Sequence, residues 1–257
     1  MKNQYFGDKT DYIKHCIMSE LASLTFGFAV HWNRTEDDDS SDGKHISYLN
    51  APDIWRHYNP TIFDSIKQNV LAGRRELRVF EELGFVPNTT FCYDLWQKKA
   101  SERFSSNSNF LNSIGSQKLV FYDPDNGLET KSVHRDGRNS DKYVYFSDVK
   151  LAWDRGHSLM IYQHFPRVRR ETYIISRLRE LSSFCQEHGE LISISTSFAA
   201  FLYVLQRKHE KEIISTIYNF GERWFDQLKV MRLCRASEML EFEVSHPVQS
   251  KQLELSV

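Results

Sequence analysis

The sequence is poor in the features that mark zinc sites, redox dithiols and membrane spans. Its four cysteines are far apart and none forms a Cys-x-x-Cys pair, which argues against a zinc knuckle or a redox dithiol. The longest apolar runs are far below the ~20 residues that a bilayer span needs, and residues 1–5 carry no apolar signal region. We therefore expect a cytoplasmic protein with no membrane partner, in which Cys16, Cys92, Cys185 and Cys234 are small core residues.

The sequence also lacks an interdomain linker and an excess of positive charge. No stretch in the middle of the 257 residues is rich in Pro, Gly or Ser, so we expect one domain that spans residues 1–257. Hydrophobic residues make up 40% of the chain, which is enough for a packed core. The net charge of −1 excludes a globally basic surface, so a nucleic-acid partner would need a local patch.

One local basic patch is present in the sequence. Its arginines lie just after a predicted strand and on the helix that follows, and they are Arg167, Arg169, Arg170, Arg177 and Arg179. They predict contacts with the phosphate groups of RNA or DNA. The alternative is a solvated helix face whose arginines form ordinary ion pairs.

Apolar spacing predicts strands that alternate with helices. The predicted strands lie near 26–32, 89–93, 118–122, 158–163, 191–195, 199–205 and 239–244. The two near 191–195 and 199–205 are too close in sequence for a helical crossover, so we expect an antiparallel pair. A polar helix is expected from Asp94 to about Phe104, and a last helix from about His209 to Leu228 leads to the final strand. The fold class is α/β, with a mostly parallel, Rossmann-like sheet and helices on both faces.

The loop Asp123-Pro124-Asp125-Asn126-Gly127 follows the third predicted strand. Ligands of open α/β sheets bind at the carboxyl ends of the strands, so this loop is the expected centre of any chemistry. Pro124 fixes one backbone torsion, Gly127 permits a tight reversal, and two carboxylates and an amide stand between them. The alternative is a polar turn with no function.

Five stretches, in order along most of the chain, carry a resemblance to one family. They are the opening 5–15 with Gly7, Asp11, Lys14 and His15, the strand and loop 119–126, the segment 156–166, the strand and helix 199–224, and the closing strand 241–244. The opening resembles an Ala-Gly-Asn-x-x-Asp-x-x-Lys-His motif, and 119–126 resembles an apolar strand followed by Asp-Pro-Pro-Tyr. These motifs belong to the ribosomal RNA large-subunit methyltransferase J family, which transfers a methyl group from S-adenosylmethionine to an adenine amine.

The resemblance implies a methyltransferase-like fold and a set of site residues. S-adenosylmethionine would bind near Gly7, Asp8, Lys14 and Asp94, with Asp94 at the ribose hydroxyls. Asp123 would accept a hydrogen bond from the target amine, and the catalytic group would comprise Lys14, Asp123, Asp125 and Asn126. The target would be an unpaired or flipped base of RNA or DNA, because a stacked amine is out of reach. Aromatic stacking on that base is expected from Tyr122, Tyr162 or Phe165.

Two departures from the family pattern concern the active site. Where the family has a glycine-rich loop after its first strand, this chain has bulky and acidic residues from His31 to Asp38, and no glycine comes before Gly43. Asp125 and Asn126 also replace the second proline and the tyrosine of the target-base motif. The fold is therefore better matched than the cofactor pocket.

Two other functions remain open from the residues. A metal-dependent nuclease or phosphodiesterase would use Asp123, Asp125, Glu129 and Lys131 with Mg²⁺, although these residues are closer in sequence than such signatures usually are. The acidic run 36–43 is a further candidate for a divalent cation, or else an exposed loop. The third reading is a former enzyme fold that binds nucleic acid or protein through its arginines. All three depend on whether Lys14 and Asp123 face a common cavity.

Overall fold

The computed structural model describes residues 1–38, 40, 42–236 and 239–244; for 234–236 and 239–244 it describes the backbone only. The strands are β1 Phe28–His31, β2 Thr90–Cys92, β3 Leu119–Tyr122, β4 Gly127–Leu128, β5 Tyr143–Val144, β6 Ser158–His164, β7 Leu191–Ser195, β8 Ala199–Val204, β9 Lys229–Ala236 and β10 Met239–Val244. The helices are α1 Lys9–Leu21, α2 Pro52–Trp55, α3 Pro60–Leu71, α4 Leu77–Glu82, α5 Ala100–Ser113, α6 Phe146–Asp154, α7 Arg170–Phe184 and α8 Glu210–Arg223.

Eight of these strands form one sheet in the order β10-β9-β7-β8-β6-β3-β1-β2. The neighbours β2, β1, β3 and β6 pair in parallel, and β8 runs antiparallel to both β6 and β7. The expected Rossmann-like α/β fold, with a parallel core and an antiparallel pair near the C-terminus, is confirmed. Because the carboxyl ends of the parallel strands share one edge, the loops after β1, β3 and β6 meet there.

Alternate residues of each central strand point to opposite faces of the sheet, and each face has its own apolar core. Phe28 and Val30 of β1 pack with α1, α3, α4 and α8, whereas Ala29 between them packs with α5, α6 and α7. Cys16, Cys92 and Cys185 are buried in these cores as expected, and the side chain of Cys234 lies outside the described residues. Among the described residues, no helix combines the length and apolarity that crossing a membrane would require.

The helix expected from Asp94 to about Phe104 begins later and runs further, because 94–99 is irregular and α5 spans Ala100–Ser113. The Arg103 side chain accounts for part of the difference, since its guanidinium donates hydrogen bonds to the carbonyls of Gln97 and Lys98. Those carbonyls are thereby satisfied without a helix. Strand β9, which contains charged residues and pairs with β7 and β10, was not predicted from the sequence.

Candidate functional site

A cavity of about 320 Å³ lies at the carboxyl edge of the sheet. Its floor is formed by the ends of β3 and β6, and its sides by the start of α1 and by Phe198 at the turn between β7 and β8. We call it the acidic cavity, because its lining includes the carboxylates of Asp8, Asp11, Asp123 and Asp125. Its volume is at the lower end of the range for small-molecule sites, about 300–1,000 Å³.

Lys14 and Asp123 meet in this cavity. The Lys14 Nζ lies 2.8 Å from Asp123 Oδ2 and 2.6 Å from Asp11 Oδ1, and all three residues are almost fully buried. Burial alone would lower the pKa of Lys14, but the two carboxylates raise it above its ordinary value, so Lys14 is charged. Burial raises the pKa of Asp123, and Lys14 opposes that shift.

The opening motif explains how α1 presents these groups. Asp8 caps the helix by accepting a hydrogen bond from the Thr10 amide at 2.9 Å. Asp11 and Lys14 are three residues apart and therefore share one helix face. Asp11 Oδ2 also accepts a hydrogen bond from the Gly7 amide at 3.1 Å, so Gly7 orients the carboxylate although it does not line the cavity.

The loop after β3 is fixed on its other side by the N-terminal residues and the loop after β1. The Met1 amino group lies 2.7 Å from Asp125 Oδ1, and the Thr35 hydroxyl donates to Asp125 Oδ2 at 2.9 Å. Burial by itself would raise the pKa of Asp125, but the amino group brings it below the usual value. The Asp123 amide donates to the side-chain oxygen of Asn33 at 3.1 Å. Both loop carboxylates therefore lie within ion-pair distance of a cation, Asp123 of Lys14 and Asp125 of the Met1 amino group.

Asn126 is the polar group of this loop that stays available. Its backbone amide donates to Lys142 O at 2.9 Å, and its carbonyl accepts from Gln163 Nε2 at 3.0 Å, so the main chain is fixed. Its side-chain amide lines the cavity and has no hydrogen-bond partner among the residues that the structure describes. A free amide offers a ligand both a donor and an acceptor.

Aromatic side chains form the remaining walls of the cavity. Tyr5, Tyr162 and Phe198 line it, and Phe198 is 43% exposed, so part of this wall is open to solvent. Tyr162 therefore lies where stacking was expected. Tyr122 and Phe165 do not, because the Tyr122 hydroxyl is buried against Asn107 on the other face of the sheet and neither ring lines the cavity.

The end of β1 does not fit S-adenosylmethionine in the arrangement that the resemblance implied. The Trp32 ring is fully buried, and its Nε1 donates to Glu81 Oε1 at 2.7 Å. The Met1 amino group donates to the carbonyl of Asn33 at 2.9 Å, and the Thr35 amide donates to the carbonyl of Met1 at 2.9 Å. The chain itself thus covers the strand end where a glycine-rich loop would admit a cofactor.

Asp94, the expected ribose ligand, does not line the acidic cavity. It lies on a separate cleft beyond the end of β2, with Arg34, Tyr93 and α5. The structure therefore brings together Asp8, Lys14, Asp123, Asp125 and Asn126 but not Asp94.

The four residues of the expected nuclease site, Asp123, Asp125, Glu129 and Lys131, do not lie together either. Glu129 accepts a hydrogen bond from the Phe146 amide at 2.9 Å at the start of α6, and Lys131 is exposed in a turn. Neither residue lines the acidic cavity. Within the described residues, no group of three or more His, Cys, Asp or Glu side chains is arranged to hold a metal ion, including those of the acidic run 36–43.

The basic patch divides into two parts. Arg167 and Arg169 lie on the loop that follows His164, a residue on the rim of the cavity, Arg170 begins α7 and Arg179 lies further along it, and all four are exposed. Arg177 is buried instead, with its guanidinium 2.8 Å from the carbonyl of Glu129, so its expected role in the patch is wrong.

Several residues of the site were not expected from the sequence, notably Met1, Thr35, His45 and Phe198. Their positions depend on contacts between distant parts of the chain, which a motif does not contain. Asp11 could have been found, since its spacing from Lys14 places both on one helix face. No protein-family model matches the sequence, and a search of curated proteins gives no match.

Proposed function

We propose that this chain is a methyltransferase-like protein that acts on nucleic acid by taking one unpaired base with an exocyclic amine into the acidic cavity. The observation that carries the proposal is the free side-chain amide of Asn126, which lines a cavity with aromatic walls at the carboxyl edge of a Rossmann-like sheet. An asparagine amide can pair with the edge of adenine through one donor and one acceptor.

The charge of the cavity favours an amine and opposes a phosphate. Lys14 is already bound by two carboxylates, and the remaining acidic groups make the walls acceptors of hydrogen bonds. A phosphate would meet like charge there, whereas an exocyclic amine donates without carrying charge. Tyr5, Tyr162 and Phe198 supply apolar surface on which a planar base can stack.

The loop at the rim gives the sugar–phosphate chain a place to bind. Arg167 makes no ion pair among the described residues, and the Arg169 side chain is 81% exposed, with an ion pair to Glu171 at 3.6 Å. These arginines continue from His164 on the rim, so phosphates beside a captured base would lie close to them. The acidic interior and the basic rim thus suit the two parts of one nucleotide chain.

Methyl transfer to the captured amine is the second candidate, and the position of Asp123 at the end of β3 favours it. The covered end of β1 opposes it, because the usual entry of S-adenosylmethionine is filled by Met1 and Trp32. Calorimetric titration of the folded protein with S-adenosylmethionine tests methyl transfer. A dissociation constant below about 1 mM would support it. No heat of binding would leave base capture as the proposed function, without a methyl donor.

The test of base capture uses a single-stranded oligonucleotide with one 2-aminopurine, whose emission reports its surroundings. We expect an emission change on binding, and Asn126→Ala to weaken that binding about tenfold, which is the worth of one base-edge contact. Asn112→Ala, an exposed change on α5, is the matched control and should bind as the parent does. Equal affinity of both variants would contradict the proposal.

The rim is tested in parallel. Arg169→Glu should weaken binding of the same oligonucleotide and reduce its dependence on salt, because one phosphate contact is lost. A purine without an exocyclic amine should bind more weakly than adenine at the same position. Equal binding of the two bases would contradict the proposal that the acidic walls accept hydrogen bonds from an exocyclic amine.

A further inference from the structure

A second cleft, of about 920 Å³, lies at the end of β2 and is separate from the acidic cavity. Its defining feature is one tyrosine ring contacted by two arginines. The guanidinium carbon of Arg34 is 4.4 Å from the centroid of the Tyr93 ring, and that of Arg78 is 4.5 Å from the same centroid. We call this the arginine cleft, after Arg34 and Arg78.

The two guanidinium groups have no direct ion-pair partner in the described part of the chain, and Glu81 acts on Arg78 only at longer range. Neither Arg34 nor Arg78 has a carboxylate within ion-pair distance among the residues that the structure describes. The Nε of Arg34 is buried and has no hydrogen-bond partner there. Arginine stays protonated in proteins, so these donors are available to a ligand that carries anionic acceptors.

The surroundings hold these arginines in place. The carbonyl of Arg34 accepts a hydrogen bond from the Trp96 amide at 2.7 Å, which fixes its backbone beside the strand end. The Tyr93 hydroxyl donates to Asn3 Oδ1 at 2.8 Å, which fixes the ring between the arginines and the N-terminal segment. Two charges held on a fixed ring are ready to receive an anion.

The rest of the lining favours a phosphate ester over a bare anion. The opposite wall belongs to α5 and offers Ser106, Asn109 and Ser113, which are neutral hydrogen-bonding groups. Asp94 is the one carboxylate on the described lining, so the cleft keeps a net positive charge. The volume exceeds that of a single phosphate, and the polar wall suits a sugar attached to it.

We propose that the arginine cleft binds a phosphate ester, with Arg34 and Arg78 on the phosphate oxygens and the α5 wall on the attached sugar. The site goes beyond base capture, because it neither shares lining residues with the acidic cavity nor requires a base. Planar guanidinium forks match phosphate geometry and suit it better than a diffuse surface charge does. The phosphate belongs either to a free nucleotide or to a nucleic-acid backbone.

Calorimetry with two probes tests the site and separates the two sources. The probes are adenosine monophosphate and a short abasic oligodeoxynucleotide, which has a sugar–phosphate backbone but no bases. We expect at least one to bind the full chain below about 1 mM, and adenosine without phosphate to bind much more weakly. The probe whose affinity falls more in Arg78→Gln than in Arg169→Glu occupies the cleft: the abasic chain would assign the cleft to nucleic acid, and the nucleotide would assign it to a small ligand.

Charge-matched variants locate the site. Arg78→Gln lies on the exposed side of α4 and should weaken binding of the better probe about tenfold, through loss of a charge-assisted hydrogen bond. Arg74→Gln removes the same charge nearby, from a residue that is ion-paired with Glu82 at 3.1 Å, and should leave binding unchanged. Equal losses in the two variants, or no binding of either probe, would overturn the proposal.

The ring that joins the arginines is tested separately from the acidic cavity. Tyr93→Leu should weaken binding of the better probe, while Tyr93→Phe keeps the ring and should retain it. Asn126→Ala should leave binding of the abasic chain intact. If Arg78→Gln has no effect but Asn126→Ala still weakens capture of a purine, the cleft proposal fails and base capture stands.

Discussion

Replacing Lys14 by methionine is expected to destabilise the folded protein strongly at neutral pH. The ammonium lies 2.6 Å from Asp11 and 2.8 Å from Asp123 and is 3% exposed, so methionine leaves two buried carboxylates without a cation. Removing one partner of a buried ion pair costs about 3–5 kcal/mol. The volume of the side chain changes little, so the loss reports charge and not packing.

The pH dependence of the variant separates this explanation from a general weakening of the fold. Without Lys14, the rise that burial causes in the pKa of Asp123 is less opposed, so its folded-state pKa lies further above the unfolded value of about 3.9. The folded state then binds more protons than the unfolded state, so the unfolding free energy of the variant increases as pH falls. We expect the difference between Lys14→Met and the parent to narrow from pH 7 towards about pH 5.

Urea denaturation at a series of pH values measures this effect. Lys150→Met is the control, because Lys150 forms an exposed ion pair with Asp154 and its removal should cost below about 1 kcal/mol at every pH. Adding Asp123→Asn to Lys14→Met removes one uncompensated charge and should recover part of the loss. If Lys14→Met costs no more than Lys150→Met, or its cost does not depend on pH, the buried ion cluster does not stabilise the fold as argued.

Two further predictions concern stability around the cavity. Burial lowers the pKa of His15, whose ring is stacked on Phe80 with centroids 3.8 Å apart, to about 4. The histidine of the unfolded chain takes up a proton near pH 6.5, so the folded state loses stability relative to the unfolded state as pH falls from about 6.5 through 4. His15→Phe should remove about 3 kcal/mol of acid destabilisation from denaturation curves over that range, and unchanged pH dependence would contradict the assignment. Gly127 has φ +111°, and an added Cβ would lie 2.5 Å from Gln163 Cδ. Gly127→Ala should therefore cost more stability than Gly84→Ala, which has φ +68° and open space, and equal melting temperatures would refute the clash.

The residues predicted from sequence follow two local rules. Lys14 lies on the cavity face of α1, where its spacing from Asp11, which was not predicted as a site residue, places both side chains together, and Asp123 lies at a strand end because the apolar run before it forms a parallel strand. The partners of Asp125 obey no local rule, since Met1 and Thr35 are far from it in sequence. Such contacts depend on how loops pack after the sheet has formed, and no spacing in the sequence specifies them.

The missed strand β9 has a different cause. Lys229 and Arg232 interrupt its apolar pattern, and the structure satisfies Arg232 through two hydrogen bonds to Glu190 at 2.9 Å each. A charged residue is tolerated within a strand when a neighbouring group forms a hydrogen bond or ion pair with it, and that neighbour is known only from the fold. The same applies to Arg177, which was predicted to be a surface charge but is buried and donates a hydrogen bond to the carbonyl of Glu129.

The N-terminal segment connects the two proposed sites. Met1 and Tyr5 line the acidic cavity, whereas Asn3 between them accepts a hydrogen bond from Tyr93 in the arginine cleft. The N-terminal segment thus forms a wall of the acidic cavity and fixes the Tyr93 ring of the arginine cleft. A segment with two conformations in this position would couple ligand binding at the two sites. Occupying the cleft should then change the affinity of the cavity for its base, and the base should change the affinity of the cleft for phosphate by the same factor. Titrating the 2-aminopurine strand with and without saturating ribose 5-phosphate, a phosphate ester that has no base to compete for the cavity, measures that factor, and a value of one would show that the two sites are independent.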